Sequence, residues 1–510
     1  MNKKILFLSV LSAFVICLPA IAQDGSRFSG HHFEFDGEVG DVAAEDLNGD
    51  GLLDLVMLHS DRDAHPPKRY LTIVMHKKGA GYKKSDAKRW ELPEKVAAVD
   101  VGDVLVRPGQ ELVFITEKGI SASYVEDGAV SAPRELISIQ SVVAIPDERE
   151  APYYNFVRDY NGDGKDDILV CGFYDASMFI QRDGGEFEGQ KLKFRPGMDI
   201  DAFDFEGMMG ASQDTPLFRV AYYVPVTHSG DNNADGKRDI IVNYRGDIKI
   251  FEQIENGNFD PEPARAFKLV LFEDDDTPSR RRSMPNIFFE DIDGDGRVDL
   301  LANQVKGNLG KMKARTVIYY GKTDSMEKGR PDHEFDTDKT ALAAFLQDVN
   351  KDGKQDVRMS TLDLNAWTAG KAILTGDVTL DIVYFIQKGG GKFEDEPDAV
   401  QPTDITFSLT KMRLTSGIPN FYGDFNADGL PDQVLGVESD ALLVTLRDED
   451  GIQTDKQERI EVPVSLITQV EDLDGDGYSD IIVNYRDRED MTGKVHVFIN
   501  KGAGHWNFEE

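Results

Sequence analysis

Asp291-Ile292-Asp293-Gly294-Asp295-Gly296-Arg297-Val298-Asp299 is one of seven copies of the pattern D-x-[DN]-x-D-G-x-x-D in this chain. Oxygen-bearing side chains stand at positions 1, 3, 5 and 9 of every copy. They are Asp46, Asn48, Asp50 and Asp54 in the first, Asp159, Asn161, Asp163 and Asp167 in the second, and Asp231, Asn233, Asp235 and Asp239 in the third. Asp291, Asp293, Asp295 and Asp299 form the fourth, and Asp348, Asn350, Asp352 and Asp356 the fifth. Asp424, Asn426, Asp428 and Asp432 make the sixth, and Asp472, Asp474, Asp476 and Asp480 the seventh. A hard cation such as Ca2+ takes six to eight oxygens at about 2.3–2.6 Å, which carboxylates at alternate positions of a tightly curved loop supply from one side. Glycine at position 6 permits the sharp turn, position 7 offers a backbone carbonyl, and the aspartate at position 9 closes the coordination. The chain is therefore expected to bind up to seven Ca2+ ions.

Position 12 decides which kind of element the loop leads into. A helical EF-hand has a bidentate glutamate there, whereas these copies have Met57, Val170, Val242, Ala302, Met359, Leu435 and Val483. Apolar residues at that point suit a strand core, so each loop is expected to join two strands.

The same grammar surrounds every copy: an apolar strand, the acidic loop, a second strand beginning at position 9, a third strand, a Gly-rich turn and a weaker fourth strand. In the first unit Val42-Ala43-Ala44 leads into the loop, Leu53 to Leu58 leads out, Tyr70 to Met75 pairs back, and Gly79-Ala80-Gly81-Tyr82 turns the chain again. Four strands per unit is the pattern of a propeller blade, and repeats of this length must be found before domains are counted. Between Asp46 and Asp159 there is room for two units, and Lys95 to Val125 has the strand pattern of one whose loop has decayed. Setting Glu111 at position 9 puts Asp103, Leu105, Arg107 and Pro108 at positions 1, 3, 5 and 6. Arg107 is expected to sit where the ion sits elsewhere and to meet Asp103 and Glu111.

Eight units then start near residues 46, 103, 159, 231, 291, 348, 424 and 472. Longer spacings mark insertions at Phe194 to Pro216 and Ser360 to Thr379, and a polar stretch, Glu273 to Ser283, precedes the fifth unit. A helix can be drawn through Ala341 to Gln347, but that slot belongs to an innermost strand and is assigned as strand. The last unit runs out of chain after Trp506-Asn507-Phe508, while Phe28 to Phe35 is an unused strand before the first. The two ends are expected to meet in one blade and close the ring.

This grammar resembles the FG-GAP or VCBS repeat family, whose propellers include the N-terminal domain of integrin alpha chains, across essentially the whole chain after its leader. The resemblance implies an all-β, single β-propeller with the calcium loops on one face, each joining the innermost strand to the next. Most familiar relatives have seven blades, and the present count is eight.

The protein has a formal net charge of −35. At the N-terminus Lys3 and Lys4 precede an apolar run from Ile5 to Leu18, and Ala20-Ile21-Ala22 supplies small residues for cleavage, the form of a secretory signal peptide over residues 1–22. Its removal takes the charge to −37 and leaves 23–510 as the propeller. No later apolar run reaches the roughly 20 residues that span a bilayer, so no transmembrane segment is expected and the protein should be secreted or periplasmic. Such acidity argues against nucleic acid as a partner, although 23 of the carboxylates lie in ligand positions. Cys17 falls in the leader, so Cys171 alone remains and no internal disulfide can form.

The resemblance implies binding, adhesion or scaffolding for a glycan or protein ligand more strongly than catalysis, and a monomer is expected. The few histidines fall at no metal-ligand spacing. A calcium-dependent polysaccharide lyase of the pectin-degrading propeller type is the enzyme alternative, and no catalytic base identifies itself. Arg245-Gly246-Asp247 matches the adhesive tripeptide, yet turn chemistry explains it better. A basic face opposite the calcium loops is the candidate ligand surface: Arg245, Arg280, Arg281, Arg282, Lys306 and Lys313, with Lys311 and Arg486 nearby.

Overall fold

The structure is a computed structural model. It describes residues 26–510 apart from 62–63, 65–67, 144–151, 203–217, 273–283, 308–311, 364–375, 409–412, 415, 450, 503, 505 and 507–510. The expected leader therefore lies outside the described residues, as do Arg280, Arg281, Arg282 and Lys311.

Eight antiparallel sheets succeed one another around a ring as the blades of a β-propeller. The first blade consists of Glu38–Glu45, Asp54–Asp61, Lys68–Val74 and Lys88–Glu91, paired in chain order. The second, with the decayed loop, is a complete blade: Val96–Gly102, Glu111–Thr116, Gly119–Ser123 and Arg134–Ser138. In the sixth blade the segment Thr340–Gln347 is the innermost strand, as expected, and an additional short strand makes that sheet five-stranded. The eighth blade takes Thr468–Glu471, Asp480–Asn484 and Lys494–Asn500 from the end of the chain and Phe28–Glu34 from its beginning, with Phe28 opposite Asn500 and Glu34 opposite Lys494. Pairing the two ends in one blade closes the ring.

The register is the same in every blade: the residue before position 1 pairs with position 9. Glu45 faces Asp54, Glu290 faces Asp299 and Glu471 faces Asp480, and Gly102 faces Glu111 in the second blade. That equivalence fixes the alignment of the decayed loop.

Why the sheets stack is visible in their burial. The second strands are buried almost end to end, Asp167–Cys171 on both faces, as strands covered on two sides must be. The core divides into eight clusters among the described residues, each shared by two neighbouring blades. Val56 and Leu58 of the first blade pack with Val99, Leu112 and Phe114 of the second. Phe33, Ile482 and Val495 of the last blade pack with Val39, Leu55 and Met57 of the first, which completes the circle. The position-12 residues Met57, Val170, Ala302, Met359 and Val483 are fully buried within these clusters, as a strand reading requires.

The insertions leave the ring intact. The first forms an accessory hairpin, Gly197–Ala202 with Phe218–Tyr223, between the third and fourth blades. The second prolongs the hairpin between Asp356–Leu362 and Asp377–Phe385, and the stretch before the fifth blade lies outside the described residues.

Candidate metal centre

All seven acidic loops leave the end of an innermost strand and enter the second strand, so they lie at one end of the ring. Neighbouring loops are tied by backbone hydrogen bonds. The amide of Gln110 donates to the carbonyl of Asp46 at 2.9 Å, Val298 to Asp231 at 2.7 Å, and Ser479 to Asp424 at 2.9 Å. Leu53 donates to Leu473 at 2.9 Å, which joins the first loop to the last.

Within each loop the chain curls around the position-1 carboxylate. In the first, Asp46 Oδ1 accepts from the amides of Gly49 at 2.7 Å and Asp50 at 3.1 Å, and its Oδ2 accepts from Gly51 at 2.9 Å. The same closure recurs at Asp159, Asp231, Asp291 and Asp472. It requires left-handed backbone at position 6, where the glycines have φ between 80° and 87° in all seven copies. Position 4 is left-handed too, and there Ala234, Lys351 and Ala427 accept the strain that glycine avoids.

Oxygens converge as a cation needs. Single carboxylate oxygens of Asp291, Asp293 and Asp299 lie within 4.8 Å of one another, and so do those of Asp472, Asp474 and Asp476. An all-oxygen donor set in a curved loop fits Ca2+ rather than a softer metal. Lysines neutralise several of these groups: Lys237 meets Asp235 at 3.1 Å, Lys354 meets Asp352 at 2.6 Å, and Lys322 is paired with Asp293.

Position 9 has a second duty that sequence alone did not disclose. Asp54, Asp167, Asp239, Asp299, Asp356, Asp432 and Asp480 are completely buried. Each accepts an amide from position 2 of its own loop and another from a residue at or near the end of the third strand. For Asp54 these are Leu47 at 3.2 Å and His76 at 2.7 Å, and for Asp480 they are Leu473 at 2.8 Å and Asn500 at 2.7 Å. The carboxylate thus pins loop, second strand and third strand together. Burial pushes Asp54, Asp167, Asp299 and Asp432 up to about 7 and Asp480 to about 8. The backbone amides oppose that rise, while the other loop carboxylates add to it.

Amides at the end of the third strand were also missed. Gln181, Gln253, Gln387 and Asn500 donate from their side chains to carbonyls of the preceding blade's loop, namely those of Asp103, Asn161, Ile292 and Phe425. An amide residue before the Gly-rich turn is the sequence signal that could have found them.

The decayed loop behaves otherwise. Glu111 Oε2 accepts from Val104 and Leu105, each at 3.0 Å, so the loop half of the position-9 pin survives, while Oε1 is buried without a hydrogen-bond partner and the third strand is not fastened. Pro108 at position 6 cannot take a positive φ, and the calcium turn is not formed. Arg107 corrects expectation: it makes no ion pair with Asp103 or Glu111. Its guanidinium lies over the Tyr124 ring, 4.0 Å from the centroid, and its charge reaches Glu111 only as a minor influence.

On the opposite face, Lys306 and Lys313 are cross-strand partners in the fifth blade. Arg245 occupies a two-residue hairpin turn with φ of 52°. It is ion-paired to Asp199 at 3.0 Å and lies against Tyr223 and Tyr244, so turn geometry and packing account for the tripeptide. Arg486 pairs with Asp41 at 2.9 Å. Among the described residues no helix is long and apolar enough to cross a membrane.

Residues 231–302 match the FG-GAP-like repeat family. No curated protein matches the sequence. Among solved structures, the chain is similar to an Agrocybe aegerita lectin that recognises non-reducing terminal N-acetylglucosamine, at 13% identity over 85% of this chain and 90% of that one, with a TM-score of 0.41. It is similar to the Dos1 propeller at 11% identity over 95% and 99% of the two chains, with a TM-score of 0.45. The V. cholerae biofilm matrix protein Bap1 gives 14% identity over 91% and 78%, with a TM-score of 0.27.

Proposed function

Because the chain is an FG-GAP repeat β-propeller, we propose that it is an exported, calcium-binding module that holds a glycan or protein ligand without turning it over. The observation that carries the calcium reading is the convergence of oxygens from Asp291, Asp293 and Asp299, and from Asp472, Asp474 and Asp476, in loops with one repeated closure. The stretch from Lys3 to Ala22 supports export, through a leader cut after Ala22. A ring closed by its own two ends supports a monomer.

The ligand surface of this reading is the face opposite the loops, where Lys306 and Lys313 project from one hairpin and Arg280, Arg281 and Arg282 precede the same blade in sequence. In a protein of this acidity a cationic face attracts uronate or sulfated glycans, or an acidic protein. A glycan array probed with and without calcium tests it. Binding that weakens in Arg281→Glu and Lys313→Glu, and in raised salt because exposed charges are screened over about 8–10 Å, supports the reading. Salt-independent binding removes the basic face, and release of unsaturated sugars absorbing in the ultraviolet establishes the lyase instead.

A further inference from the structure

The second blade carries a further feature. Beside its decayed loop a cavity of about 380 Å3 opens on the loop face, lined by Arg107, Tyr124, Ser131 and Arg134 of this blade and by the Gly184–Gly185 turn of the third. Ligand pockets commonly run from roughly 300 to 1,000 Å3. The turn approaches so closely that a Cβ on Gly185 would stand 2.7 Å from Val106 Cγ2. A small hairpin, Val125–Glu126 with Ala129–Val130, is added to this blade between its third and fourth strands. Ser131, just beyond it, accepts from the Tyr124 amide at 3.0 Å.

Two guanidinium groups stand at this cavity. Arg107 is laid flat on Tyr124, with Nη1 buried and lacking an acceptor. Arg134 opens the fourth strand and is exposed. Among the described residues neither guanidinium has a carboxylate partner, although the chain has 92 acidic residues. Several other arginines are paired with carboxylates, Arg182 with Glu188, Arg265 with Glu327 and Arg315 with Glu334, while Arg358 and Arg447 lie on aromatic rings.

The geometry points to an anion subsite in this cavity that takes the carboxylate of a sugar-sized ligand, such as a uronate. Guanidinium forks match carboxylates through paired, charge-assisted hydrogen bonds. A monoanion approaches so acidic a protein at lower electrostatic cost than a dianion such as phosphate. Ala122, Ala132 and Val106 supply apolar wall for the less polar face of a ring. The assignment goes beyond the ligand surface proposed above, since this cavity lies on the loop face, and it does not rest on calcium, since this loop has lost its cation ligands at positions 3 and 5.

The test is a calorimetric titration of the mature chain with galacturonate, galactose, acetate and inorganic phosphate, in calcium and in chelator. Saturable galacturonate binding that persists in chelator, with none for galactose, is the expected result. Arg134→Ala and Arg107→Gln should each weaken it at least about tenfold, the scale of a lost charge-assisted pair. Arg134 is exposed, so its variant should keep the wild-type circular dichroism. Competition by acetate assigns the subsite to carboxylates generally, and failure of acetate to compete shows that the sugar body is needed; either supports it. Absence of saturable galacturonate binding, equal binding by both variants, or tighter binding of phosphate overturns it. Lys313→Glu separates the two readings: it should leave this binding unchanged even where it abolishes binding on the opposite face.

Discussion

The second blade and the other seven share a register and a pattern of burial, yet only the seven have the acidic turn. What survives in the second is Glu111 at position 9, still fastening two loop amides. What it has lost are the oxygen-bearing side chains at positions 3 and 5 and the left-handed glycine at position 6. The difference divides the motif into a part that builds the blade and a part that holds an ion. Position 9 belongs first to the blade, because an acid is kept there where the calcium turn is lost, while positions 3, 5 and 6, lost with that turn, are the ones suited to a cation alone.

Removing calcium should have the largest effect. Crowded carboxylates repel one another without a cation, and a ligand at 100 times its Kd adds about 2.7 kcal/mol per independent site. With sites of the extracellular type, binding at about 10⁻⁴–10⁻³ M, a chelator should lower the melting temperature markedly relative to millimolar calcium. Superimposable melting curves would break the comparison at its base.

Next come the pins. Asp299→Ala leaves three amides and Glu111→Ala two without an acceptor, at about 1–3 kcal/mol per buried unsatisfied group. Both should therefore destabilise by more than about 2 kcal/mol in chelator as well as in calcium. Asp295→Asn, at the exposed position 5, should be within about 0.5 kcal/mol of wild type in chelator and should forfeit part of the gain from calcium. An Asp299→Ala protein as stable as wild type in chelator would return position 9 to the ion alone.

The comparison can be sharpened by pH. Burial holds Asp54, Asp167, Asp299 and Asp432 near about 7 in the ion-free fold, against about 3.9 in an unfolded chain. The folded state binds these protons more tightly, so their contribution is fully present below about pH 4 and is lost as the pH rises through about 7. Calcium needs the ionised form, so its stabilising increment should grow across that window. The melting-temperature gain from calcium should be larger at pH 8 than at pH 5, and equal gains would contradict the assignment.

The smallest effect belongs to Arg107. A guanidinium stacked on a half-exposed tyrosine contributes about 0.5–1 kcal/mol, so Arg107→Ala should cost less than about 1 kcal/mol, equally with and without calcium. A larger loss measured by denaturant unfolding would restore the reading in which Arg107 stands in for an ion.

Much of the fold was legible because its signals are local. The acidic turn, the apolar residue three places beyond it and the strand alternation lie within a dozen residues, and they identified even the blade whose ligands had gone. The unused strand at Phe28 foretold the closure, since an innermost trio without a fourth strand needs one. Contacts between distant segments were not legible. Gln387 reaches the carbonyl of Ile292 across 95 residues and Asn500 that of Phe425 across 75, and no spacing announces such partners. Arg245 was counted in the basic face because nothing in its own hairpin shows Asp199, 46 residues earlier. Arg107 was expected to behave like the ion it replaced, when the aromatic ring of Tyr124 was the nearer surface.

Equilibrium dialysis against millimolar calcium, with the metal counted by atomic emission per mole of mature chain, tests the central claim most directly. Seven intact loops and one decayed loop predict about seven ions on wild type, about six after the three carboxylates Asp291, Asp293 and Asp295 are changed to Asn, and still about seven after Asp103→Asn in the second blade. No bound calcium, or a count that falls when Asp103 is changed, would contradict it.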